Sequence, residues 1–253
     1  MEVHHHTNTH KNKWTHYLWE FLMLFLAVTI GFYAENLREN NKNHHEAGTN
    51  MHSLLSDLKA DVLMFDSVID RNDYSIAMAD TLVELLHGDL SRTEDIYFAA
   101  RSVTANIGYY YSNSKSFEQM KSSGLLRLVH PQALLDSIGS YYTSYQWLEN
   151  QLSLLRMKMD QIHKGNIDLF DSYVFNVMMK FQGKNYNDIH HIIINRPTEH
   201  PRLLSTDPVK INGVSMNYHY YLTTARFYRA TADRLRGLAL RLIEWIKKDY
   251  GFE

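Results

Sequence analysis

Cysteine is absent from this chain of 253 residues. That excludes disulfides, thiolate metal sites and cysteine nucleophiles together, and leaves the redox compartment open. Proline and glycine are scarce, at 4 and 11 residues, which favours long helices over a turn-rich β fold. An excess of either charge is missing too: 26 Lys and Arg against 28 Asp and Glu leave a net −2. The chain therefore carries no electrostatic footprint for nucleic acid, and no nucleic-acid partner is expected. Gly-rich phosphate loops, a GxSxG elbow and an HExxH metal helix are also wanting, so no cofactor is expected and the chain reads as non-enzymatic. What remains is an ordinary globular composition, 45% hydrophobic and 21% charged, long enough to bury a sizeable core.

One stretch departs from that average. Leu18–Ala34, LWEFLMLFLAVTIGFYA, has Glu20 as its one ionisable residue, and beyond it Thr29 is the sole polar side chain. At about 1.5 Å per residue it reaches roughly 25 Å, close to the ~30 Å hydrocarbon core of a bilayer. Trp14, Tyr17 and Trp19 gather at one end and Tyr33 stands at the other, as interfacial aromatics do. The expectation is a single transmembrane helix over 17–34, with a polar tail at 1–16 and a polar stalk at 35–50. The run continues into Glu35-Asn36-Leu37-Arg38 rather than small residues at a cleavage site, so it reads as an anchor and not a signal peptide. Lys11 and Lys13 on one flank balance Arg38 and Lys42 on the other. The short tail is expected to stay in the cytoplasm of a bacterial cell, with the large domain on the periplasmic side of the inner membrane.

From Met51 a heptad begins. Met51, Leu55, Leu58, Val62, Phe65, Ile69, Asn72, Ile76, Ala79, Val83 and Leu86 follow an unbroken 4-3 spacing in which Asn72 alone is polar; Gly88 ends the helix. Such a spacing is the seam of left-handed helical packing, and a polar seam residue tends to set register. Ser91-Arg92-Thr93-Glu94 has the form of a capping box opening a short helix. A loop at Tyr109–Ser114 and a brief helix at Phe117–Lys121, stopped near Gly124, come next. Pro131 suits the first turn of a helix carrying Leu134, Ile138, Tyr141, Tyr145, Leu148, Leu152, Leu155, Met159 and Ile162. Gly165 is expected to kink or end it, with a further apolar helix over Ile167–Phe181. Gly183–Val214, holding Pro197, Pro201 and Pro208, reads as an irregular insertion and a candidate docking element. A last helix, about Ser215–Asp249, repeats the heptad through Tyr221, Ala225, Tyr228, Ala232, Leu235, Ala239, Leu242 and Ile246. The fold expected for 51–253 is an elongated all-α antiparallel bundle.

Two motifs carry a resemblance. EFLMLFLAVTIGFYAENLRE (Glu20–Glu39) and the later FEQMKSSGLLRL (Phe117–Leu128) resemble the opening and second signature of an uncharacterised family of bacterial membrane-anchored proteins sharing a domain of unknown function. The resemblance implies a single-span protein with a helical soluble domain, and carries over no catalytic residue.

Candidate site residues are few. Glu20, at the start of the span, is either an ion or proton site in an oligomer or a carboxylate at headgroup depth. Lys121, Ser122, Ser123 and Arg127 offer a small anion or peptide pocket beside Tyr109, Tyr110 and Tyr111, or simply a helix-turn connection with Gly124 as left-handed cap. His190 and His191, with Asp188, Glu199 and His200 nearby, lack the spacing of a metal site. The same holds for His4, His5, His6, His10 and His16 in the tail, so no metal is expected. Tyr218, Tyr220, Tyr221 and Tyr228, with Phe227, read as packing. Together these point to a membrane-anchored interaction or sensor-like protein, with the lipid bilayer and other membrane proteins or copies of itself as partners. The alternative is an oligomeric assembly passing ions or protons at Glu20.

Overall fold

The computed structural model describes residues 13–105, 113–181 and 192–252, apart from the side chains of Lys13, Phe181 and Ile192. The chain divides into two compact units at Asn50/Met51. Helix α1, Lys13–His87, contributes to both.

In the first unit α1 is apolar on every side. Trp14, Trp19, Phe21, Leu24, Phe25, Ile30 and Phe32 are all exposed by 60% or more. This stretch is long and apolar enough to cross a membrane by length and composition. The Thr29 hydroxyl donates to the Phe25 carbonyl at 2.8 Å, so the one polar group in the later part of the run is satisfied within the helix. Beyond it the helix continues without a break through Gly48. Its polar stretch is decorated by one-turn ion pairs, Glu35–Arg38 at 2.6 Å and Lys42–Glu46 at 3.8 Å.

The second unit is a bundle in which the chain runs up, down, up and down. The rising α1 from Met51 is followed by a descending leg in pieces: α2 (Thr93–Ala105), α3 (Lys115–Ser122) and a 3-10 turn at Leu125–Leu128. Cross-contacts to α1 trace the descent. Tyr74 donates to Ser102, the Asn113 N–H to Asp61, and the Ser116 N–H to Asp57 at 3.0 Å. Helix α4 (Gln132–Asn166) climbs again, and α6 (Pro208–Tyr250) descends. Ion pairs from Arg226, Arg229 and Arg236 of α6 to Asp80, Asp73 and Asp66 of α1 fix that antiparallel register. The heptads foreseen for α4 and for the last helix point inward throughout: every residue named for them is buried.

Local chemistry explains most boundaries. Gly124 sits at φ +71° and closes α3 as a left-handed turn, a conformation that costs other residues a Cβ clash. Asp207 caps α6 by accepting from the Val209 N–H at 2.8 Å, with Pro208 in the first turn, so the irregular insertion stops seven residues earlier than Val214. Gly165 lies in the last turn of α4, which ends one residue later at Asn166, as expected.

Three expectations are corrected. The helix over Ile167–Phe181 is only α5, Ser172–Val177, because the Asp171 carboxylate caps it by accepting from Tyr173 and Val174 N–H groups. After it, β1 (Met179–Phe181) pairs antiparallel with β2 (Ile192–Ile194), so strands stand at the end of the expected helix and within the irregular stretch. The Ser91 capping box does not form: the Ser91 N–H and hydroxyl both go to Asp89, and Glu94 instead meets His200 at 2.6 Å. Finally, the seam of α1 is offset. Its deepest line runs Met51, Leu54, Leu58, Asp61, Phe65, Val68, Asn72, Ser75, Ala79, Leu82 and Leu86, whereas Val62, Ile76 and Val83 are half-buried.

Candidate functional site

The bundle's upper end, where His87, Asn166 and Pro208 come together, is covered by the segment between α4 and α6. His87 and Ser215 are hydrogen-bonded there at 2.9 Å, and Asn166 is bonded to Tyr218 at 3.1 Å. Helix α2 organises the covering. Its acidic first turn, favourable at a helix N-terminus, pins the returning leg: Asp95 accepts from Arg196, whose guanidinium also lies 4.8 Å from the Phe98 ring centre. One turn on, the buried Tyr97 hydroxyl accepts from the Asp171 N–H at 2.8 Å and donates to the Arg202 carbonyl at 3.0 Å. A single phenol thus holds both legs of the segment. Its ring packs on Phe170 at 5.0 Å and Phe175 at 5.8 Å, an aromatic trio worth about 0.5–1.5 kcal/mol per pair beyond its buried area.

Beside that trio lies a cavity of about 460 Å³, lined by Arg101 and Thr104 of α2, His163 and Asn166 of α4, and Ile167, Phe170, Ser172, Phe175 and Leu204 of the covering segment. Arg101 is its notable member. The Nη2–H group has the Met179 thioether at 3.0 Å, the Nη1–H group a long contact to Thr104 at 3.4 Å, and Nε is buried without an acceptor among the described residues. The Phe175 ring lies 5.6 Å away. Burial pushes the guanidinium below its ordinary pKa, and no carboxylate among the described residues forms an ion pair with it. This group was not singled out in the sequence. The available signal was a lone arginine in the stripe Tyr97, Arg101, Thr104, spaced i, i+4, i+7 along the buried side of α2.

A second polar cluster lies inside the bundle. Asp61 is fully buried and accepts from the Tyr141 hydroxyl at 2.7 Å and from the Asn113 N–H at 3.4 Å. Desolvation raises its pKa, against the hydrogen bonds that lower it, and the neighbouring Asp57 adds to the rise. Burial and the Asp61 charge likewise push Tyr141 and Tyr142 up. Neutral phenols and a hydrogen-bonded carboxyl here tie α1 to α4 and to the entry of α3, a structural arrangement rather than an accessible reaction centre. Ser75 and Tyr221 are bonded further along, where burial lifts the phenol to about 12.

The residues singled out in the sequence lie partly inside and partly outside the described residues. Glu20 is exposed, with His16 one turn before it at 3.8 Å. Lys121 is exposed and 3.9 Å from Glu118, and Arg127 is exposed. Ser122 and Ser123 both donate to the Gln119 carbonyl, so this stretch is the helix-turn connection, and Leu125, Leu126 and Leu128 are half-buried. Tyr109, Tyr110, Tyr111, His190 and His191 lie outside the described residues, as do Asp188 and the tail histidines His4, His5, His6 and His10. Among the described residues no group of three or more His, Asp or Glu comes within reach of one metal ion. Of the tyrosine strip, Tyr218, Tyr221 and Tyr228 are buried, while Tyr220 and Phe227 are exposed.

Comparison with known proteins adds one finding. A family described as "Family of unknown function (DUF6090)" matches residues 20–194. No curated protein and no solved structure shows significant similarity to the chain.

Proposed function

Because the chain belongs to the DUF6090 family of unknown function, no activity comes to it by kinship, and we propose from its own residues that it is a bilayer-anchored, non-enzymatic interaction or sensor-like protein. Residues 17–34 would span the inner membrane of a bacterium, and the bundle from Met51 would act on the periplasmic side with other membrane proteins or further copies of itself as partners. The observation that carries this reading is the all-round exposure of apolar side chains from Trp14 to Tyr33. A large aliphatic or aromatic side chain left in water forgoes about 1.5–3 kcal/mol relative to burial, so a continuous run of them calls for an apolar solvent. Glu20 fits the interfacial role, since it pairs with His16 among the aromatics at the start of the run.

Alkaline carbonate extraction of membranes tests the anchor: the chain is expected in the pellet, and release into the supernatant overturns it. Protease treatment of spheroplasts is expected to degrade the bundle and spare it in intact cells. The alternative, ion or proton passage at Glu20, requires several copies and a flux in liposomes that Glu20→Gln abolishes. Equal flux for both chains, or a monomer in mild detergent, removes it.

A further inference from the structure

The cavity at the bundle's upper end is bordered by a cation with no ion-pair partner among the described residues, and its walls say what would supply one. In a guanidinium the Nε–H and one Nη–H form a side-on fork matched to the two oxygens of a carboxylate. In Arg101 the Nε–H is closed off and has no acceptor among the described residues, Nη2 has only a thioether, and the side chain borders the cavity through the rest of its length. Burying a cation without a charged partner is costly. Here the cost is accepted next to an open volume of about 460 Å³, within the range of small-molecule sites. The remaining walls are mainly apolar, with Phe170 and Phe175 on one side and Ile167 and Leu204 at the mouth. Among the described lining residues Arg101 is the one that is permanently charged. A monoanion balances it, whereas a phosphate dianion would call for a second fixed cation.

We propose that this cavity binds a small monocarboxylate with an apolar body, its carboxylate paired with the Arg101 guanidinium and its apolar part against Phe170 and Phe175. Ser172 adds a hydroxyl to the same lining, whereas the Thr104 hydroxyl is held by the Ala100 and Arg101 carbonyls. The site is independent of the anchor, since every residue in it belongs to the bundle unit. The carboxylate belongs either to a free acid or to a peptide ending in an apolar residue. Both sources present the same group to the arginine.

The test is calorimetric titration of the full chain in nanodiscs with 4-phenylbutanoate, 4-phenylbutanol, phenyl phosphate and acetyl-Ala-Ala-Phe. Saturable binding of a carboxylate is expected, with the alcohol and the phosphate weaker by about ten-fold or more, the worth of a charge-assisted pair. The free acid and the tripeptide tell the two sources apart by which binds more tightly. Arg101→Met is expected to lose about ten-fold or more in affinity, and Arg101→Lys to lie between it and the unaltered protein, because Lys keeps the charge but not the fork. Since Arg101 also packs on Phe175, Leu204→Glu provides a variant at an exposed position. It should repel the acid and leave the thermal melt unchanged. Equal binding of acid and alcohol, preference for the phosphate, unchanged affinity in Leu204→Glu, or no saturation by either carboxylate at about 10 mM, a ligand too weak for a built site, each overturns the proposal.

Discussion

One helix, α1, passes through two regimes. Between Trp14 and Tyr33 it shows apolar side chains on every side and none is buried; between Met51 and Leu86 a stripe of them is buried and its margin bears Asp66, Asp73 and Asp80, paired with arginines of α6. The backbone is the same α-helix in both. The difference lies in the angular distribution of hydrophobicity. A stripe is matched by neighbouring helices with their own stripes, whereas a surface apolar all round needs an apolar medium. Helix formation and burial are therefore separate outcomes of the sequence, set by different features of it.

The sharpest way to break this comparison is to cut at it. A chain of residues 51–253 is expected to remain soluble without detergent, strongly helical by circular dichroism and cooperative in its melt, while the full chain stays with lipid. Aggregation of the shorter chain would show that the first unit is needed for more than anchoring. Next come single side chains. Phe65→Ala empties a fully buried seam position and should cost the bundle about 3–5 kcal/mol. Leu24→Ala, in the exposed run, should leave the bundle's denaturation midpoint where it was.

Asp61→Ala is expected to cost about 1–3 kcal/mol by stripping the Tyr141 hydroxyl of its acceptor. Asp61→Asn keeps an oxygen for that hydroxyl and removes the charge, and pH reads the charge directly. Burial raises the Asp61 pKa above the ordinary 3.8, so the folded state holds the proton to higher pH than the unfolded chain does. This group therefore favours folding at low pH and loses that contribution as pH rises from about 4 through its folded pKa. Stability curves of the Asn variant should be flatter over that window, and identical slopes would show that Asp61 titrates as it does in the unfolded chain. The smallest effect belongs to the surface. Arg229→Ala, which opens the pair with Asp73 at 2.9 Å, should cost less than about 1 kcal/mol and still less at high salt.

Particular residues show how much of this could be read from the chain. The stripes of α4 and α6 were legible because each packs with one continuous seam of aliphatic and tyrosine side chains. On α1 two lines share Met51, Leu58, Phe65, Asn72, Ala79 and Leu86. Pattern matching prefers the one through Leu55, Val62 and Ile76, since the other contains Asp61 and Ser75. The fold takes the polar line because Tyr141 and Tyr221 stand opposite with hydroxyls. The start of α6 was legible in principle, Asp207-Pro208 being a cap followed by a first-turn proline. The shortening of the Ile167–Phe181 helix had its signal in Asp171.

The Arg101 cavity had no comparable signature. Its lining comes from three parts of the chain, 101–104, 163–175 and 204, brought together through the two hydrogen bonds of Tyr97.

By itself the sequence determined that the chain is helical and where its long helices run, which sides of α4 and α6 face inward, and that one stretch is long and apolar enough to cross a membrane. These depend on composition and on periods of a few residues, which neighbours along the chain specify. Tertiary structure alone decided which polar groups enter the α1 seam and that a cation without an ion-pair partner among the described residues lies beside a cavity. Both depend on which atoms meet across long separations, and that is settled by packing rather than by local propensity.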